Sequence, residues 1–247
     1  MVVGLVVAAG LLAVGPARRL LSGCAFAGNR CIRVLFIGNS YTSVNDLPAT
    51  FAELAGSGGV AVEVDAIDPG GQTLAGHAAA PDVLAAITGR RWTTVVLQEQ
   101  SEIPAATDLF DRETVPAATT LVAAIRKAGA EPVLFDTWAH RDGWPERLLD
   151  RAAMQTAIDG SYARLAATLH VRLVAVGPAW ARATAMAPAV VLWQADGSHP
   201  TIAGTYLAAC MFYGTLIDRS PVGLGPTSGL DPIVAAALQA VTAASIP

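Results

Sequence analysis

The chain has 247 residues, 53% of them hydrophobic and 15% charged, with a formal charge of −4. That length suits one large α/β unit, and the composition excludes a disordered or collagen-like chain. Lys127 is the only lysine and the arginines are scattered, so the clustered basic face that nucleic acid requires is missing.

Residues Val2 to Gly15 are almost wholly apolar, the length of a signal-peptide core and short for a membrane span. Leu21-Ser22-Gly23-Cys24 has the form of a bacterial lipobox, and Ala25-Phe26-Ala27 the small-x-small form of a signal peptidase site. Arg18 and Arg19 follow the apolar run instead of preceding it, a departure from the usual order. Residues 1–30 are therefore expected to be a signal peptide, a lipoprotein signal or an N-terminal anchor, giving an exported protein with a membrane tether as one form. A mis-assigned start is the competing reading. Cys24 and Cys31 are near enough to pair across a small loop if Cys24 survives processing. Cys210 stands in an apolar helical stretch as a free thiol, and no Cys/His spacing suited to zinc occurs.

From residue 31 onward, short apolar runs alternate with amphipathic ones. Strands are expected at Ile32–Ile37, Val60–Ile67, Thr94–Leu97, Pro132–Phe135 and Arg172–Val176, each β-branched and nearly continuous in hydrophobicity. That is the pattern of strands buried on both faces. Between them, Leu47, Phe51 and Leu54 mark a helix behind an Asn45 or Asp46 cap. Leu121, Val122 and Ile125 mark another, closed by Gly129, and Met154, Ile158, Tyr162, Leu165 and Leu169 a longer one. A Pro/Gly-rich loop from Ser220 to Gly229 precedes a last helix from Asp231 to about Ala244. Its Gly223-Leu-Gly-Pro-Thr-Ser-Gly run follows a helix instead of a strand, so it is not a phosphate loop. Strands separated by helices imply βαβ crossovers and a parallel sheet covered on both sides, with residues 31–247 as a single domain.

In open parallel sheets ligands bind beyond the C-terminal strand ends. Ser40 lies at such an end, as do Asp68 to Gly71, Gln98 to Ser101 and Thr137 to His140. A serine nucleophile needs a base and a group to orient that base. There are four histidines. His170 ends a helix, His77 sits in a polar loop without an assigned role, and His140 is a lone loop residue. His199 follows Asp196 by three positions in a turn-rich segment, close enough for the carboxylate to reach the imidazole. Trp138, Trp180 and Trp193 fall near strand or loop ends, where core packing competes with a place in a sugar or acyl site.

Gly38-Asn39-Ser40 after the first strand, Gly71-Gln72-Thr73 after the second, Leu97-Gln98-Glu99-Gln100-Ser101 after the third and Asp196-Gly197-Ser198-His199 near the C-terminus resemble, in that order, the sequence blocks of the SGNH (GDSL-like) hydrolases. The resemblance covers residues 31 to about 216 and is nearest a bacterial subgroup with GNS-Y-T, LQEQS and DGSHP blocks. It implies a flavodoxin-like three-layer α/β/α sandwich, with Ser40 as nucleophile, His199 as general base and acid, and Asp196 as its orienting carboxylate. It also implies an oxyanion hole from the Ser40 and Gly71 amides and a side-chain amide, with Gly70 supplying the turn. Where the family shows Gly-x-Asn-Asp, this chain departs. Alignment on the strand puts Gln100 in the place of Asn, with Gln98 on the same face as runner-up and Glu99 turned away or bound to another polar group. The implied activity is carboxylic ester hydrolysis of small acyl esters, carbohydrate acetates among them, without metal or organic cofactor. Acyl transfer to a sugar and a non-catalytic carbohydrate-binding protein are the rival functions.

Overall fold

The computed structural model describes Cys24, residues 31–225 and residues 229–246. The leader or anchor expected over residues 1–30 lies outside the described residues apart from Cys24, which forms a disulfide with Cys31. A thiol so engaged cannot at the same time carry a thioether lipid. Among the described residues no helix is long and apolar enough to cross a membrane.

Five parallel strands, β1 (Ile32–Ile37), β2 (Val62–Ile67), β3 (Thr94–Leu97), β4 (Glu131–Asp136) and β5 (Arg172–Ala175), form one sheet in the order β2-β1-β3-β4-β5. Every expected strand is present. β2 starts at Val62 instead of Val60, because Val60 is still held by the preceding turn through its N–H to Ala55 O at 2.9 Å. The register aligns Ile37 with Ile67 on one side and with Leu97 on the other, so three strands end at one level.

Alternation within each strand assigns its residues to two apolar layers. Val34, Phe36, Val96, Val133 and Phe135 face one cluster, and Leu35, Ile37, Val95, Leu97 and Leu134 face the other. The first layer packs under α2 (Leu47–Ser57), behind the single turn α1 (Ser40–Ser43). The second packs under α3 (Leu74–Ala79), α4 (Pro81–Thr88), α5 (Val115–Lys127) and α6 (Arg151–Leu169). α7 (Val176–Met186), α8 (Ile202–Ile217) and α9 (Pro232–Ala243) return to the first. This is the three-layer α/β/α sandwich that the blocks imply. α8 is buried on nearly every side, wedged between α2, α9 and the sheet, which is why its sequence is apolar all round. Cys210, within it, is the buried free thiol expected.

The helix ends follow local chemistry. Asp46 caps α2 by accepting from Ala49 N at 3.2 Å, and Gly129 closes α5 at φ +78°. Asn45 instead reaches across the molecule and donates to Pro200 O at 2.9 Å. His170 caps α6 in the left-handed region, as its position suggested.

His77 has a structural task that its loop-like sequence hid. It is buried on α3, and its Nε2 lies 2.7 Å from Gly38 O, at the end of β1. A carbonyl only accepts, so Nε2 carries the hydrogen, and buried Nδ1 has no partner among the described residues. Burial holds the imidazole below its ordinary pKa of 6.5, against the opposing pull of Gly38 O and Asp82. With the folded-state value depressed, the unfolded chain binds the extra proton first as pH falls below 6.5, so this contribution is present above that pH and lost below it. We predict that urea midpoints of the wild type fall between pH 7.5 and pH 5 by more than those of His77→Gln. Equal pH dependence in both proteins would contradict a buried neutral imidazole.

Candidate active site

The turn after β1 is built around a glycine that tolerates no side chain. A Cβ on Gly38 would come within 2.5 Å of Gln98 Oε1 and 2.7 Å of Thr42 Oγ1. The next residue, Asn39, is buried and takes the N-cap of α1, its Oδ1 accepting from Tyr41 N at 3.1 Å. Its Nδ2 donates to Gln72 O at 2.9 Å, tying the turn to the loop after β2. Ser40 is thereby raised as the first residue of α1, half-exposed above the C-terminal end of the sheet.

The loop from Leu192 to Pro200 meets it from the other side. His199 Nε2 lies 2.9 Å from Ser40 Oγ, and His199 Nδ1 lies 2.6 Å from Asp196 Oδ2. The other Asp196 oxygen accepts from the N–H groups of Ser198 at 2.9 Å and His199 at 3.0 Å. Partial desolvation pushes the Asp196 carboxyl up, but these donors and the imidazole outweigh it and hold the group below its usual range. The structure thus brings Ser40, His199 and Asp196 into one continuous hydrogen-bonded line. The chemistry open to such a line is proton transfer from a serine hydroxyl to an oriented imidazole.

Gly71 has φ +72°, a conformation that favours glycine, and open space where a Cβ would stand. Its lack of a side chain therefore serves the turn itself, not close packing, and Gly70, expected to supply the turn, is not in the left-handed region.

The block after β3 sorts its three polar residues by hydrogen bonding. Gln98 is fully buried: its Oε1 accepts from Asn39 N at 2.9 Å and Thr42 Oγ1 at 3.1 Å, and its Nε2 donates to Asn39 Oδ1 at 3.0 Å and to Glu99 O. Both amide hydrogens are spent on the Ser40 turn and its neighbour. Gln100 is half-buried, and its Oε1 accepts from Glu102 N at 2.8 Å and Ile103 N at 3.2 Å. That clamp fixes which way the amide points and leaves Nε2 with one long contact, 3.4 Å to Ser101 Oγ. Glu99 turns away, as expected, and is bound by Leu74 N at 3.1 Å, Gln100 N at 2.7 Å and Thr114 Oγ1 at 2.6 Å. Desolvation raises its pKa, with these three donors pulling the other way.

Tyr41, to which the sequence assigned no role, and Trp138 join the halves of the site. Tyr41 OH lies 2.8 Å from Ser198 Oγ, and the Tyr41 ring is stacked on Trp138 with centroids 4.5 Å apart. Trp138 Nε1 donates to Ser198 O at 2.9 Å. Trp138 stacks in turn on Trp180 at 4.1 Å, which meets Trp193 edge-on at 5.3 Å. The tryptophans are core, not an open sugar platform. Burial pushes the Tyr41 phenol well above its usual value, so it stays protonated. His140 Nε2 lies 3.3 Å from Ser101 Oγ, and burial first, with His199 adding to it, keeps the His140 imidazole below its ordinary pKa despite Glu102 and Asp196.

No family model matches the sequence, and no curated protein sequence does. Solved structures do match. A DUF4886 family protein from Bacteroides uniformis ATCC 8492 aligns with TM-score 0.75 at 20% identity, covering 87% of this chain and 95% of that one. A candidate SGNH hydrolase from Slackia heliotrinireducens aligns at 0.64 with 29% identity, covering 75% of this chain and 99% of its own. A variant of an acetyl-xylooligosaccharide esterase from Geobacillus stearothermophilus aligns at 0.58 with 16% identity, over 74% and 92%. A five-stranded parallel sheet flanked by helices, in this company, gives the chain the three-layer fold of the SGNH (GDSL-like) hydrolases.

Proposed function

We propose that this protein is a serine ester hydrolase acting through one SGNH-type domain over residues 31–247. The observation that carries the reading is the line from Ser40 Oγ through His199 to Asp196, with contacts of 2.9 and 2.6 Å. His199 Nε2 takes the proton as Ser40 Oγ attacks the ester carbonyl. Asp196 holds Nδ1–H and stabilises the imidazolium that forms. The oxyanion is received by the N–H groups of Ser40 and Gly71 and by Gln100 Nε2, whose direction the Oε1 clamp sets. The carbon–oxygen bond to the alcohol then breaks, and the alcohol leaves with the proton from His199. Water, deprotonated by the same imidazole, cleaves the acyl-serine ester and releases the acid. The scheme calls on no metal or organic cofactor.

The structural neighbour described as an acetyl-xylooligosaccharide esterase supports a short acyl group on a carbohydrate as the substrate class. The Cys24–Cys31 disulfide supports export, since such bonds persist in oxidising compartments.

Hydrolysis of p-nitrophenyl acetate and p-nitrophenyl octanoate tests the reading. Ser40→Ala and His199→Ala should each lower kcat roughly 10⁴- to 10⁶-fold. Activity unchanged in Ser40→Ala would end the proposal, and the ratio of the two esters reports the acyl preference. A sugar acceptor added to the same assay separates hydrolysis from acyl transfer.

Gln100→Ala should lose about 10²- to 10³-fold in kcat as an oxyanion donor. Gln100→Glu, which keeps the clamping oxygen and removes the N–H groups, should lose at least as much. Full activity in Gln100→Glu would reduce the residue to a helix cap.

Tyr41→Phe keeps the ring on Trp138 and removes one hydroxyl. It should lower kcat about 3- to 10-fold with KM unchanged, the worth of one network hydrogen bond. Ser198→Ala should lose a similar factor and the double variant little more, because both remove the same contact. Additive losses would separate the two residues.

A further inference from the structure

We propose that the cleft between α6, α7 and the segment Pro188–Trp193 is a second binding site, separate from the Ser40 cleft, for a small carboxylate with an apolar body. Two adjoining cavities, of about 270 and about 260 Å³, share Arg151, Thr184 and Trp193 in their walls. Each falls just short of the usual range of small-molecule sites, ~300–1,000 Å³, which sets the size of ligand it could take. The remaining wall is mostly aliphatic, with Ala181 on the α7 side and Val190 and Leu192 on the loop side.

The charge at this cleft is not cancelled. Arg151, exposed at the start of α6, lies with its guanidinium carbon 5.6 Å from the Trp193 ring centroid and has no ion pair among the described residues. Asp142 pairs with Arg141 at 2.9 Å, and its charge also offsets part of that of Arg151. Asp150 accepts from Ala153 N at 2.8 Å as the cap of α6. Arg141 and Arg151 both line the cleft, two cations against the one carboxylate of Asp142. A guanidinium beside an aromatic ring still has N–H groups to offer to the two oxygens of a carboxylate. Aliphatic walls beneath arginine guanidinium groups select a ligand with an apolar body and an anionic head, and they penalise both a neutral alcohol and a bare ion.

The wall is also firm. Trp193 Nε1 donates to Ala139 O at 3.0 Å, and Thr201 N donates to Leu192 O at 2.9 Å, so the loop side is fixed before any ligand arrives. A preformed site loses less on binding than one that must order itself.

Isothermal titration of the full chain with octanoate tests the assignment, with 1-octanol and acetate as probes of body and charge alone. Octanoate should bind at least tenfold more tightly than either. Arg151→Gln should weaken octanoate at least tenfold, and Thr184→Phe, which fills the cleft from a partly exposed helix position, should do the same. Both lie on the surface of helices, and thermal melting checks that each variant folds as the wild type does. Ser40→Ala should bind octanoate as the wild type does, whether or not the ester hydrolase reading holds. No octanoate binding, binding indifferent to Arg151→Gln and Thr184→Phe, or binding weakened only by Ser40→Ala would overturn the proposal.

Discussion

The site hangs on a single buried amide. Gln98, at the end of β3, accepts from the backbone and from Thr42 with one atom and donates to the Asn39 side chain with the other. In a low-dielectric interior each of those groups would be costly to leave unpaired. Their mutual satisfaction therefore fixes the turn between β1 and α1 more firmly than apolar packing alone. Gly38 is the condition for it, since any Cβ there would strike the same amide oxygen. His77 braces the Gly38 carbonyl from α3, and Asn39 passes the constraint to Gln72 beside Gly71. Three strand ends are locked to one another before Ser40 meets any partner.

The loop that carries Asp196 and His199 is held by a different physics. Stacked rings run from Tyr41, the residue after Ser40, through Trp138 to Trp180, and Trp193 closes the row edge-on. The rings bury large area, while their polar tips, Trp138 Nε1 and the Tyr41 hydroxyl, reach Ser198. Apolar mass gives the loop its place and two hydrogen bonds give it its register. Asn45 adds a third tie at Pro200. The imidazole is thus positioned from the Ser40 side and from the β4 side at once, which is what keeps a half-exposed histidine within 2.9 Å of a serine hydroxyl.

Much of this was legible in the sequence, for reasons that can be named. The central strands announced themselves because both faces are buried and their residues are nearly all apolar, as in Thr94–Leu97. The edge strands β2 and β5, by contrast, carry Glu63, Asp65 and Arg172 among their apolar residues. Ser40, His199 and Asp196 were legible because the site is carried by short contiguous blocks, so that spacing in the chain stands for spacing in the fold. The block after β3 was only half legible. Alternation puts Gln98 and Gln100 on one face, but it does not say that one amide would be consumed by Asn39 and the other clamped by Glu102 and Ile103. Gly71 was read as an oxyanion residue from the resemblance, and its backbone angle of φ +72° is a second reason for glycine there that the sequence did not show. Tyr41 and His77 carry no local signal, because their partners are 157 and 39 residues away.

Glu99 shows how tightly the two requirements of fold and chemistry are interleaved. A carboxylate one position from a candidate oxyanion donor would oppose the charge that Gln100 is placed to receive. The fold removes that conflict by burying Glu99 on the opposite face and binding it with three donors from three different segments. One of those donors is the N–H of Gln100 itself, so the carboxylate that would spoil the site also fixes the backbone from which the Gln100 amide projects. The same residue anchors the start of α3 at Leu74, and α3 brings His77 to Gly38. A charge that costs desolvation energy is retained because the bonds that satisfy it are the ones that hold the block after β3 against the turn after β1. Replacing it with an apolar side chain of similar size would spare the desolvation and leave Leu74 N, Gln100 N and Thr114 without their acceptor, which is the larger loss.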